Sequence, residues 1–202
     1  MDAQAKDLQT KKDPQTTAAA EIAAAPIDPG TRIGHVHLKV ADIERALAFY
    51  CGVLGFALTQ RLGSQAAFVS AGGYHHHIGL NTWESRGGGP PAPGTTGLYH
   101  VAILYPTRAA LGDALRRLIE AKIPLEGASD HGVSEALYLR DPDDNGVELY
   151  WDRPKEQWPL TPDGKLAMYA RHLDLMSLLA ETEAALQQKI EAVLFAPARD
   201  SR

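Results

Sequence analysis

Cysteine is almost missing from this chain. Its 202 residues include only Cys51, so no internal disulfide can form, and a reducing, cytoplasmic compartment is the expectation. Cys51 closes an apolar helical run beside Tyr50, which predicts a packed thiol and not a nucleophile. Long apolar runs are lacking too. No stretch reaches the roughly 20 residues of a membrane helix, and no apolar signal core is visible, so neither a secretory signal nor a membrane partner is predicted. Positive charge is scarce: 20 Lys and Arg face 25 Asp and Glu, a net −5. That balance speaks against a nucleic-acid partner and leaves small molecules as the better class.

What is present is repetition. Residues 1–31 are rich in Ala, Gln, Thr, Lys and Asp and read as a flexible leader, in which the run Ala18–Ala25 favours a short helix. From Arg32 an order β-α-β-β-β appears twice. In the first copy Val36, Leu38 and Val40 alternate with His35, His37 and Lys39 over a strand at 33–40. Asp42 then caps a helix carrying Ile43, Ala46, Leu47 and Tyr50, and strands follow near 56–62, 66–71 and 75–82. The second copy has a strand at 99–105, a helix with Leu111, Leu115, Leu118 and Ile119 on one stripe, and strands near 124–129, 134–140 and 146–151. The Gly- and Pro-rich residues 85–96 separate the copies as a linker. Modules at 32–84 and 97–153 therefore form one α+β domain, 32–153, and residues 154–202 form a C-terminal helical extension. Leu175, Leu178, Leu179, Leu186 and Ile190 give that tail an amphipathic stripe that must bury itself on the domain or on a second subunit.

Chemistry enters through three residues at matched places in these modules. His35 and His100 open the first strand of each copy, and Glu148 lies on the last strand of the second. Two imidazoles and a carboxylate are the donors of non-haem Fe(II) sites that leave open positions, although Mn(II) and Zn(II) accept similar ligands. His37 shares a strand face with His35 and is a candidate substrate-binding residue.

Paired β-α-β-β-β modules with His on each first strand and Glu on the last resemble the vicinal-oxygen-chelate superfamily, which includes glyoxalase I, the bleomycin-resistance proteins and the type I extradiol dioxygenases. The resemblance implies that the modules curl into a mixed-sheet cup with a metal on the concave face. Two stretches, His75-His76-His77-Ile78-Gly79-Leu80 and His131 through Tyr138 and Pro142 to Glu148, look like the catechol 2,3-dioxygenases. By that likeness His35, His100 and Glu148 bind Fe(II), His76 is the acid/base histidine, and His131 and Tyr138 hydrogen-bond substrate and intermediates. Strict alternation instead puts His75 and His77 on the face of Gly79, so His77 stands second to His76 and is a substrate-binding candidate. The glyoxalase I pattern has a fourth ligand where this chain has Gly79, which cannot ligate through a side chain.

The function these readings imply is an Fe(II)-dependent extradiol dioxygenase that takes a catechol-type substrate and O2, acting as a homo-oligomer. A glyoxalase-type metal-dependent isomerase or lyase is the first alternative. A metal-free drug-binding resistance protein is the second.

Overall fold

The computed structural model describes residues 26–194. The Ala18–Ala25 run and most of the leader lie outside those residues, as does the end of the tail. Residues 26–34 belong to a unit separate from His35 onward and hold a turn at Pro29–Gly30 but no helix or strand.

The first module contains β1 (Val36–Lys39), α1 (Ile43–Leu47), β2 (Ala57–Leu62), β3 (Ala66–Ser70) and β4 (Ile78–Asn81). The Asp42 carboxylate accepts from the Arg45 amide and starts α1, which runs into a π-helical turn at Ala48–Val53. The sheet order is β1-β4-β3-β2, with β1 parallel to β4 and the other pairs antiparallel. The second module repeats it with β5 (Val101–Leu104), α2 (Arg108–Glu120), β6 (Gly127–Asp130), β7 (Ser134–Arg140) and β8 (Gly146–Asp152). Its order, β5-β8-β7-β6, gains a fifth strand, β9 (Arg171–His172), from the tail. The fold is α+β, built of two mixed sheets.

Strand alternation sorts each sheet into two faces. Leu38, Val40, Val69, Ile78 and Leu80 from the first sheet, and Leu137, Leu139, Val147 and Leu149 from the second, join Tyr50, Leu111, Leu115 and Leu118 in one core. Each such side chain contributes roughly 1.5–3 kcal/mol by leaving water. His37, Tyr138 and Glu148 sit at the intervening positions, on the opposite faces.

Aspartates of the β7–β8 turn lock the modules together. Asp141, buried, accepts from the amides of Asp143 and Asn145, both at 2.8 Å, and from the Tyr50 hydroxyl at 3.0 Å. Asp143 accepts from the Ala41 amide at 2.8 Å and the Arg45 guanidinium at 2.5 Å. Burial, then the Asp141 carboxylate, pushes the Tyr50 hydroxyl far above its ordinary value.

The tail docks. Asp174 caps α3 (Leu175–Leu194) through the Ser177 amide, and buried Leu178 joins the core. Gly112 on α2 leaves the space that Thr182 of α3 fills. Glu135, buried on β7, receives Arg108 and Arg153 at 2.7 Å each, and Arg108 also reaches Glu181 of α3 at 2.7 Å. A buried carboxylate needs such pairing, because desolvating an unpartnered charge is strongly unfavourable.

Candidate active site

His35 and His100 each lie one residue before their strands, not inside them. The histidine triplet sits in the β3–β4 connection, which turns at Gly72 and Gly73 with φ of +67° and +82°. Only His77 meets the ladder, its amide donating to Val69 and its carbonyl accepting from Val36. Alternation therefore does not decide between His76 and His77, because His75 and His76 stand ahead of β4. Their contacts separate them. His76 packs at a tilt against His35 with centroids 4.4 Å apart and edge-on against Phe68 at 5.0 Å, whereas the His77 Nδ1 turns to Ser70 Oγ at 3.0 Å. Partial burial, then the neighbouring imidazoles led by His35, holds His76 below the usual histidine value.

His37 is lowered by burial and then by His35, and its ring covers Gly79. A Cβ at Gly79 would stand 2.9 Å from His37 Cδ2, so the imidazole occupies the space a side chain at 79 would need. Trp83 borders the same ring at 5.3 Å. The first module thus gathers His35, His37, His75 and His76 around Phe68 and Trp83.

The second module gathers the acid. Tyr138 and Glu148 are paired across β7 and β8, so their side chains rise together on one face. The Tyr138 hydroxyl donates to Glu148 Oε1 at 2.9 Å, and His131 Nε2 lies 2.8 Å from that hydroxyl. The other carboxylate oxygen, Oε2, meets His100 Nε2 at 2.9 Å. Burial first, and then the bond to Glu148, pushes the Tyr138 hydroxyl well above its ordinary value, so it stays a donor at neutral pH. A cavity of about 220 Å³ lies against Tyr99, His100, Tyr138 and Arg140.

These two clusters remain distinct. The structure brings His100 and Glu148 side by side, while the ring neighbour of His35 is His76. Among the described residues no three His, Cys, Asp or Glu side chains are grouped closely enough to hold a metal ion. The donor types suit a divalent transition metal, and His100 Nδ1 is buried without a hydrogen-bond partner. Of the three expected donors, the described residues bring two, His100 and Glu148, into contact, while His35 lies beside His76. The sequence reading also missed the tail's part in the site: the carbonyl of Tyr169 lies 3.0 Å from His131 Nδ1. No helical or strand periodicity around Tyr169 signals that contact.

Among solved structures, a glyoxalase/dioxygenase from Nostoc punctiforme aligns with a TM-score of 0.52 at 20% identity, over 64% of this chain and 98% of that one, a likeness of fold. Among characterised sequences, the chain is 42% identical over 156 residues to a catechol-2,3-dioxygenase of Bacillus subtilis, covering 77% of this chain and 53% of that protein. It is 34% identical over 127 residues to biphenyl-2,3-diol 1,2-dioxygenase 3 of Rhodococcus globerulus, covering 60% of this chain and 63% of that one. The chain thus spans between about half and under two thirds of those two relatives. Residues 32–149 match the family model of the glyoxalase/bleomycin resistance protein/dioxygenase superfamily, and with the paired modules and both sheets in place the chain belongs to that superfamily.

Proposed function

We propose that this protein is an extradiol ring-cleaving dioxygenase that takes a catechol-type diol and O2, with Fe(II), or alternatively Mn(II), held by His35, His100 and Glu148. The hydrogen-bonded chain from His131 through Tyr138 and Glu148 to His100 carries the reading. It places an imidazole and a phenol, both able to move or orient a proton, beside the carboxylate and imidazole that would anchor the metal. His76 is the acid/base histidine of this reading because it leans on His35, and His37 and His77 belong to the substrate side. Likeness to a catechol-2,3-dioxygenase and a biphenyl-2,3-diol 1,2-dioxygenase supports the same class. The single cysteine fits a reducing, cytoplasmic setting.

A homo-oligomer belongs to the proposal. β1 and β5 are edge strands, each paired on one side only within its sheet. Beside β5, Tyr99 is 80% exposed and Leu98 57%, a large apolar surface next to His100. A second copy whose β1 ran parallel to β5 along this edge would bring its own His35 toward the His100–Glu148 pair.

Oxygen consumption tests the class. Ferrous-reconstituted protein given catechol, alkylcatechols, biaryl diols and protocatechuate should consume O2 and release a yellow ring-opened product. Flat oxygen traces across that set, with bound ferrous iron verified, would sink the reading. Isomerisation of a hemithioacetal by the same sample would install the glyoxalase alternative, although the His37 ring fills the space beside Gly79.

A further inference from the structure

His131 is held from behind by a part of the chain that belongs to neither module. After β8, the Trp158 indole donates to the Arg153 carbonyl at 2.9 Å. The chain then turns back on itself: Leu160 bridges Leu166, and the Ala167 amide donates to the Pro159 carbonyl at 2.9 Å. This returning segment runs beside residue 131. The Tyr169 amide donates to the His131 carbonyl at 3.2 Å, and the Tyr169 carbonyl faces His131 Nδ1 at 3.0 Å. Two residues on, Arg171 and His172 pair with Asp130 and Ser129 of β6.

Side chains close the same contact. Gly132 has φ of +78°, and a Cβ there would lie 2.6 Å from the Tyr169 ring and 2.8 Å from Pro159 Cγ. Arg171 lies over the Tyr169 ring as well, its guanidinium carbon 4.2 Å from the ring centroid. Gly132 is therefore a seat into which the two rings settle.

We infer that the tail segment from Trp158 to His172 is a positioning strut for His131, and that the Tyr169 carbonyl fixes which ring nitrogen of His131 exchanges a proton with Tyr138. A carbonyl oxygen only accepts, so Nδ1 must carry a hydrogen to make the 3.0 Å contact. Nε2 is left as the nitrogen at which a proton comes or goes, and it is the one 2.8 Å from the Tyr138 hydroxyl. The phenol has a single proton, which it donates to Glu148 Oε1, so a proton on Nε2 is donated to the phenol oxygen and the three groups form one relay. Tyr169 acts through His131 and touches no reacting atom. The strut deepens the dioxygenase reading, since it matters for turnover only if His131 serves in it.

Nitrogen-15 NMR of the histidine side chains in the full-length protein tests this without any turnover. His131 is assigned by the signal lost in His131→Gln. In the unmutated protein, His131 Nδ1 should be protonated, with a hydrogen that exchanges slowly with water. Tyr169→Ala, which keeps the carbonyl but removes the ring that seats it on Gly132, and separately Gly132→Ala, which crowds that seat, should displace the carbonyl from Nδ1 and speed that exchange roughly tenfold, the scale of one weakened hydrogen bond. Tyr169→Phe keeps the ring and the carbonyl and should restore the slow rate. An unprotonated Nδ1 in the unmutated protein would overturn the inference outright, so the test survives even if a variant fails to fold. Unchanged exchange in folded Tyr169→Ala would overturn it as well. Protonated Nδ1 with slow exchange, together with flat oxygen traces, would leave the strut standing and remove only the dioxygenase reading.

Discussion

A single phenol proton governs the second-module cluster. Tyr138 keeps that proton at neutral pH because burial and Glu148 both oppose its loss. Replacing Tyr138 with Phe leaves the ring in place and removes the group between His131 and Glu148. Turnover of a catechol should fall by about 10²-fold or more, the usual worth of a positioned acid or base, while bound metal measured by elemental analysis is retained. Loss of metal in that variant would mean that Tyr138 holds Glu148 in place for ligation and does nothing more. Gly79 offers a second probe at this scale. A methyl group there collides with the His37 ring, which borders Trp83 at 5.3 Å. Gly79→Ala should therefore change the Trp83 contribution to fluorescence, read against the same substitution in a Trp83→Phe background. An unaltered difference spectrum would show that the imidazole does not depend on the missing side chain.

Between elements, the close approach of α2 and α3 depends on one glycine. A Cβ at Gly112 would run into the Thr182 hydroxyl and the Leu178 carbonyl, and backbone cannot yield as a side-chain tip can. Gly112→Ala should cost about 1–3 kcal/mol by overpacking, measured by denaturant unfolding, even though alanine is the better helix former. A more stable variant would mean that the tail helix undocks at little cost. The stripe on that helix was legible from Leu175, Leu178 and Leu179 alone, and so was nearly every strand and helix of the two modules, because periods of two and 3.6 report directly on burial. The pairing of Tyr138 with Glu148, by contrast, comes from the register of β7 and β8. What periodicity could not supply was the bend at Gly72–Gly73, signalled only by the paired glycines, which takes His75 and His76 out of the strand, and the return of the tail to His131. Both are set by backbone dihedrals and by contacts between residues far apart in sequence, to which a local pattern is blind. The same limit applies to His35: matched positions in two modules show equivalent roles in each copy, and say nothing of whether the two copies face one another.

At the scale of the whole molecule, two tyrosines tie stability to alkaline pH. Burial pushes Tyr105 up to about 12 and Tyr50 further still, whereas an unfolded chain ionises tyrosine near 10. Below about 10 neither state is ionised and the buried phenols keep their full contribution; as pH rises past that value the unfolded chain releases protons that the folded chain retains, so stability falls. Melting temperatures should drop between about pH 10 and 12, less so in Tyr105→Phe, and an equal drop in that variant would mean that Tyr105 is hydrated in solution. Assembly is the other property of the whole. If His35 from one copy joins His100 and Glu148 from another, His35→Ala and Glu148→Ala should each fail to bind metal tightly alone. Mixed after partial unfolding and refolding, they should regain it. A hybrid dimer then holds one site with both lesions and one with none, so elemental analysis should return up to one metal per hybrid. A site built within each chain leaves every chain of the mixture with one lesion and gives no recovery. Metal regained only in the mixture, in a species of dimeric mass by light scattering, would establish that two copies make the site; an empty mixture beside a fully loaded monomer would return His35 to its own chain.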